Sequence, residues 1–325
     1  MISIIDSCTD PYRNLAAEEY LLKNIDEPVF RLWRNDKAVI VGRNQNAIAE
    51  IDTAFVKEHD VAVVRRLTGG GAVFHDLGNL NYTFIDRKRG SEDSGAMFRR
   101  FTAPIISSLH KLGVEARLEG RNDLLIDGRK FSGNAMCIHR DRVLQHGTLL
   151  FSSSMEDLAG ALRTRPEKFI GKSVQSNRSR VTNISEHLPV RMDIVGFIDF
   201  LREDIGRECE EYCYGEADNR AIDALAETKY RLDSWNYGQS PRYGFRRSAK
   251  FPAGFMEVSM DIEGGMIREV DIRGDYFFKA PTEEFCALLA GTRHTRDKII
   301  DRLRTVAVDD YFCGISVAEL VELLV

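Results

Sequence analysis

The chain has 325 residues, enough for one large domain and a smaller one. Hydrophobic residues make up 43% and charged residues 29%, a globular balance that excludes a disordered chain. The formal net charge of −5 argues against a nucleic-acid binder, which carries a basic excess. The cysteines Cys8, Cys137, Cys209, Cys213, Cys286 and Cys313 are scattered with no C-x-x-C pair, so free thiols in a reducing cytoplasm are expected and zinc is not. No basic n-region opens the sequence, and no apolar run approaches the ~18 residues of a membrane helix, so neither a signal peptide nor a membrane span is expected.

Ile2–Ile5 predicts a first strand. Asp10-Pro11 is a helix start, an N-cap acid with proline in the first turn, and Leu15, Ala16, Glu19, Tyr20 and Lys23 continue it at helical spacing. Val29–Trp33 and Ala38–Val41 are strands around a polar turn, and Asp52 caps a short helix over Thr53–His59. The apolar run Val61–Val64 is a buried strand, Ala72–Phe74 a short β segment and Leu80–Ile85 another strand. Met97–Leu112 is a long helix stopped by Gly113. Asp127-Gly128 marks a two-residue hairpin turn, and Phe131–Ile138 and Val143–Phe151 are further strands. Ser154 caps a helix to Leu162, after which Arg163–Arg180 has no apolar period and is expected to be a long loop of the kind used as a lid. Helices follow over Asp193–Tyr212 and Asp218–Leu232, then a linker over Gly238–Lys250. Gly254–Asp261 and Met266–Arg273 form a hairpin, and Thr282–Ala290, Arg296–Leu303 and Val317–Leu324 are helices. The expected fold class is α/β (α+β), with a large domain over residues 1–240 and a small α+β module over 250–325.

The stretch Arg65–Asn81, R-R-L-T-G-G-G-A-V-F-H-D-L-G-N-L-N, is the most informative. Three consecutive glycines cost backbone entropy, and the usual return is a chain that comes close to a ligand with bare N–H groups aimed at an anion. Arg65 and Arg66 beside them suit a phosphate or carboxylate. A tight hairpin turn with two solvated arginines is the plainer alternative. Lys130 follows the hairpin turn at the start of an alternating strand, where a side chain can point inward, and the small residues Ser132, Gly133, Asn134 and Ala135 leave room beside it for a ligand. His146 stands in an otherwise apolar strand, where a histidine is more often a satisfied core group than a catalyst. Gly171-Lys172-Ser173 lacks the glycine a P-loop needs five residues earlier, where Pro166 stands.

Five ordered motifs, R-R-L-T-G-G-G-A-V-F-H-D-L-G-N-L-N-Y-T-F, R-N-D-L, G-R-K-F-S-G-N-A, H-G-T-L-L and S-R-V-T-N, resemble the lipoate-protein ligase A family over most of residues 10–190. The resemblance implies a large mixed-sheet domain shared with biotin ligases, followed by a small C-terminal accessory domain. It implies a cytoplasmic enzyme that couples lipoate to ATP with Mg2+, releases pyrophosphate, and passes the lipoyl group from lipoyl-AMP to a lysine of a carrier. The carriers implied are lipoyl domains of 2-oxoacid dehydrogenase E2 subunits and the glycine cleavage H protein; charge and hydropathy argue against nucleic acid and membrane as partners, and a monomer is the default expectation.

Carried over residue by residue, the resemblance gives Lys130 the catalytic role, in contact with both nucleotide and lipoyl group. It assigns ATP to Arg66 and to Gly71, Ala72, Val73 and Phe74, and it folds the loop from about Lys168 to Asn183 over the adenylate. Val73, Phe74 and Ala135 are expected walls of an apolar lipoate tunnel, and Asp123 the magnesium ligand. Asn79, Ser132, Arg180 and Thr182 are further candidates, and His75 and His146 are expected to be structural. Asn177 departs from the family pattern where an apolar residue precedes R-S-R. The rival reading is an ATP-independent octanoyl or lipoyl transferase working through a cysteine thioester. Cys137 is expected to be core rather than that nucleophile.

Overall fold

In the computed structural model, residues 1–45, 47–162, 181–237, 245–263 and 265–325 are described. The chain opens with β1 (Ile2–Ile5), α1 (Pro11–Asn24), β2 (Val29–Trp33) and β3 (Ala38–Val41). Two short helices, α2 (Ala47–Glu50) and α3 (Thr53–Glu58), lead to β4 (Ala62–Arg65), β5 (Val73–His75) and β6 (Asn79–Arg87). The long α4 (Ser94–Lys111) precedes β7 (Ala116–Glu119), β8 (Asp123–Ile126), β9 (Arg129–His139), β10 (Arg142–Leu150) and α5 (Met155–Ala161). Then come α6 (Ile194–Ile205), β11 (Glu210–Glu211), α7 (Glu216–Leu225) and α8 (Asp233–Asn236). The C-terminal part holds β12 (Phe245–Phe251), β13 (Gly254–Glu263), β14 (Met266–Gly274), α9 (Thr282–Leu289), α10 (Arg296–Leu303), α11 (Val308–Tyr311) and α12 (Val317–Leu324).

Local chemistry sets many of these boundaries. The Asp10 carboxylate accepts from the Tyr12 and Arg13 N–H groups at the start of α1. Asp127 and Gly128 take φ of 50° and 73°, the two positive values a tight hairpin turn requires. Elsewhere the structure departs from the sequence expectations. The helix from residue 193 stops at Gly206, and the chain instead adds β11 in parallel beside β1. Phe245–Phe251, expected within a linker, is an edge strand against β13. Its mostly exposed polar residues hide the pattern, and only Phe245, Ala249 and Phe251 reach the C-terminal core. β7 had no counterpart in the sequence reading. The expected lid over 163–180 lies outside the described residues.

The main sheet runs β11-β1-β2-β6-β10-β9-β8-β7, with parallel pairs at the β1 edge and antiparallel pairs beyond. Successive strand residues face opposite sides, so pairing register sorts them into layers. Phe30, Tyr82, Phe84 and Met136 look towards α4, packing on Phe98, Phe101 and Ile105. The other face carries Val29, Ile85, Leu144 and Cys137, covered by Leu21 and Leu22 of α1. Further along this second face polar residues replace the apolar ones, and there the second sheet, β4-β3-β5, closes over it.

Residues 253–325 form their own apolar core around Met256, Met260, Phe285, Phe312 and Leu320. This module is seated next to the glycine bend. Gly274 N–H donates to Asn44 O at 2.8 Å, and Phe277 packs on Phe98. The Arg121 guanidinium lies 4.2 Å over the Phe277 ring and donates to the Ala253 carbonyl.

Candidate active site

The cavity floor consists of two rows crossing four strands. Trp33 pairs with Asn81 and Asn81 with Thr148, whose hydroxyl accepts from Gly133 N–H at 3.0 Å. One step along, Arg31, Thr83, His146 and Ala135 form the second row, of which His146 and Ala135 reach the cavity while Arg31 and Thr83 are buried beside it. Three interstrand spacings make each row about 14 Å long. Gly70, Gly71, Val73 and His75 supply the roof, and the cavity measures about 100 Å3.

Lys130 reaches this cavity because of an irregularity in β9. Leu124 pairs with Ser132 but Leu125 pairs with Lys130, so one residue of β9 is extra. Strict alternation back from Ala135 and Gly133 would turn Phe131 into the cavity and Lys130 away from it. The bulge reverses this: Phe131 is buried in the core and Lys130 lines the cavity. Its ammonium pairs with Asp123 at 2.8 Å, and a Cβ on Gly133 would stand 3.1 Å from Nζ, so a larger residue there would push the end of the lysine aside by a few tenths of an ångström. The side chains of the pair are 38% and 39% exposed, so this bond is readily exchanged for a bound anion. The strand is also tied to the end of the S-R-V-T-N motif, since Thr182 N–H donates to Lys130 O at 3.0 Å.

Both arginines donate to the protein's own oxygen atoms; Arg66 lines the cavity and Arg65 does not. Arg66 Nε donates to Thr68 Oγ1 at 2.9 Å, and its terminal nitrogens donate to Ile40, Gly69 and Gly71 carbonyls at 3.0, 2.7 and 2.8 Å. Burial lowers its pKa to about 10, and it remains a cation at neutral pH. Arg65 donates to five carbonyls and lies outside the cavity lining. With Arg66 holding its carbonyls, the bend takes a φ of +88° at Gly70, and no atom lies within 4 Å of the place a Gly71 Cβ would occupy.

Beneath the bend runs a buried polar chain. His146 Nδ1 meets both Glu18 carboxylate oxygens, at 3.0 and 2.9 Å, and its Nε2 lies 2.8 Å from Thr68 Oγ1. Thr83 donates to Glu18 at 2.5 Å and itself receives the Trp33 indole N–H at 2.9 Å. Burial pushes the Glu18 carboxyl up, but His146, Thr83 and Arg31 outweigh it and hold the group below its ordinary value.

Of the expected tunnel walls, Val73 and Ala135 line the cavity and Phe74 does not. Adjacent strand residues cannot share a face, and Phe74 packs instead on Val39 and Val41. His75, expected to be structural, lines the cavity, as does His146. Asn79 and Ser132 are buried and bonded locally, Asn79 to Asn81 and Ser132 to Asn134. Thr182 bonds His187 at 2.9 Å, and Arg180 lies outside the described residues. Sequence reading missed Leu15, Trp33 and Ile40 in the lining, and Glu18 beneath it, while Asn122 of the R-N-D-L motif does line the cavity. Glu18 left one signal: it falls between Leu15 and Leu22 on the apolar stripe of α1, where a carboxylate needs a buried partner.

Residues 10–206 match the family model of the lipoyl protein ligase A/B catalytic domain, and residues 240–324 that of the bacterial lipoate protein ligase C-terminus. A curated relative, lipoate-protein ligase LplJ of Bacillus subtilis, is 40% identical over 323 residues, covering 97% of each chain. The chain belongs to the lipoate-protein ligase family. Two solved structures are similar to the ligase. One is a lipoate-protein ligase A bound with ATP, 26% identical with a TM-score of 0.64, covering 73% of this chain and 99% of its own. The other is an archaeal bipartite lipoate protein ligase, from a study of the ligase and its E2 lipoyl domain in Thermoplasma acidophilum. It is 28% identical with a TM-score of 0.66, covering 75% and 98%.

The cysteine-thioester reading is not favoured for this ligase. Cys137 is buried, and burial together with Glu18 and Glu19 pushes its thiol pKa up to about 12, which leaves almost no thiolate. Cys137→Ala is therefore expected to retain adenylation and transfer rates within about threefold of the unmodified ligase, measured by pyrophosphate release and carrier modification. Loss of both activities in a variant with unchanged circular dichroism would restore the thiol as nucleophile. Among the described residues, no helix is long and apolar enough to cross a membrane.

Proposed function

We propose that the chain activates lipoate with ATP to lipoyl-AMP and transfers the lipoyl group to a lysine of a carrier lipoyl domain. The observation that carries this reading is Lys130 in the same cavity as Gly70 and Gly71, with apolar walls behind it. A lipoate carboxylate oxygen attacks the α-phosphorus of ATP, and the bond to the pyrophosphate oxygen breaks. Two anions must be brought together and negative charge gathers in the transition state, so fixed positive charge and positioning supply the acceleration. Lys130 would exchange Asp123 for the carboxylate and α-phosphate oxygens. Bend amides near Gly71 would face the phosphates, with Arg66 acting through the backbone it holds and through its fixed charge.

Magnesium is taken to accompany the nucleotide. A single half-exposed carboxylate, Asp123, suits an ion held mainly by phosphates and water. Val73, Ala135, Ile40 and Leu15 would wall the acyl chain. In the second step the carrier lysine amine attacks the acyl carbonyl and AMP departs, with Lys130 polarising that carbonyl. Lipoyl domains of E2 subunits and the H protein are the proposed carriers, and the chain is taken to work as a monomer in the cytoplasm.

Supplied with ATP, magnesium and lipoate, the purified protein is expected to release pyrophosphate, and a lipoyl domain added afterwards to gain one lipoyl mass on its lysine. Absence of pyrophosphate, with acyl transfer from an octanoylated carrier instead, would overturn the ligase reading.

A further inference from the structure

The end of the cavity away from Lys130 has a polar feature that activation chemistry does not use. His75 is 3% exposed and lines the cavity, and its Nε2 has no hydrogen-bond partner. The neighbouring bonds fix where its proton lies. Arg31 donates to Asn14 Oδ1 at 2.6 Å, which fixes that amide, so the two N–H groups of Asn14 Nδ2 are shared among the Cys8 and Arg34 carbonyls and Asn35 Oδ1, the last at 3.0 Å. Asn35 therefore turns its Nδ2 towards His75 Nδ1, at 3.0 Å. Nδ1 is the acceptor, and the single proton of a neutral ring sits on Nε2. Burial, with His146 and Arg66 nearby, lowers the His75 pKa to about 3 and keeps the ring neutral. Beside it, Asn81 gives its oxygen to Asn79 and so turns its own N–H group to the His75 side. The Trp33 indole N–H, in the same region, is already spent on Thr83.

A buried donor without an acceptor costs about 1–3 kcal/mol, so a ligand that supplies one is favoured over a ligand that does not. Sulfur is a weak acceptor and a saturated hydrocarbon tail offers none. Building on the proposed lipoate ligase reading, we propose that His75 is a specificity-determining residue, its Nε2–H donating to a ring sulfur of the dithiolane and so favouring lipoate over octanoate.

The test measures kcat/KM for pyrophosphate release with each acid, using the full chain, its His75→Leu variant and its Asn35→Asp variant. The unmodified chain is expected to prefer lipoate by about tenfold, the value of one modest hydrogen bond. In His75→Leu the lipoate-to-octanoate ratio should fall to near one. Asn35→Asp keeps the imidazole but offers a carboxylate to Nδ1, which draws the proton to that nitrogen and leaves Nε2 an acceptor, so the same collapse is expected without loss of ring volume. A purely structural role would lower both acids in parallel and preserve the ratio; that result overturns the proposal. So does an unmodified chain that turns over the two acids equally. Absence of pyrophosphate with either acid would overturn the ligase reading itself, and this proposal with it.

Discussion

Lys130→Ala is expected to lower kcat/KM for adenylate formation by about a thousandfold, or ~4 kcal/mol of transition-state stabilisation, while the protein stays folded. Two halves of the site argument meet here. The ammonium is the cation that the bulge in β9 turns into the cavity, and attack of a carboxylate on a phosphate ester needs positive charge between them. Stability should change by less than about 1 kcal/mol, because the lysine's bond to Asp123 is a partly exposed ion pair. Pyrophosphate release and urea denaturation measured on the same preparation separate the two effects. Turnover within a few-fold of the unmodified enzyme would refute the role of Lys130, and a collapsed denaturation midpoint would show that its removal acts through the fold.

Arg65→Lys is expected to have the largest effect on stability, about 3–5 kcal/mol. Arg65 is 3% exposed and its guanidinium is bonded in five directions. One terminal nitrogen reaches the Gly42, Arg43 and Gln45 carbonyls at 2.9, 3.0 and 2.7 Å. Nε and the other terminal nitrogen reach Trp235 O and Asn236 O at 2.9 and 2.8 Å. Burial, with Arg273, Arg43 and Arg66 nearby, lowers its pKa to about 9, and the inward-turned carbonyl dipoles are what keep a cation tolerable there. Lysine keeps the charge but has three donors on one atom and no planar fork, so several of the five carbonyls lose their partner in a dry place. Urea unfolding followed by tryptophan fluorescence reads this directly, since Trp235 belongs to the cluster. A shift below about 1 kcal/mol would mean that the loop at residues 42–45 and α8 are held by other contacts.

The two arginines illustrate how far sequence reading reaches. R-R beside G-G-G was legible as a site, and the chain does form its cavity there. Which groups the guanidinium forks hold was not legible, because the carbonyls come from residues 40–45 and 235–236 as well as from the bend. The same separation hides the Glu18 carboxylate that meets His146, 128 positions away, and the Asn35 amide that fixes His75. Phe74 shows an error that local physics could have prevented, since a strand cannot turn both Val73 and Phe74 to one wall.

The sequence by itself determined the order of most strands and helices, the hairpin at Asp127-Gly128, the motifs that mark the ligase family and the stretches that meet at the site. Those features depend on backbone preferences and side-chain periods that act over a few residues. Tertiary structure alone decided that Lys130 faces the cavity, through one extra residue in β9 set by pairing with β8. It also decided that Arg66 supports the glycine bend and that His75 keeps its proton on the unpartnered nitrogen. Each of these is settled by which buried donor finds which acceptor, and burial brings those partners together from distant parts of the chain.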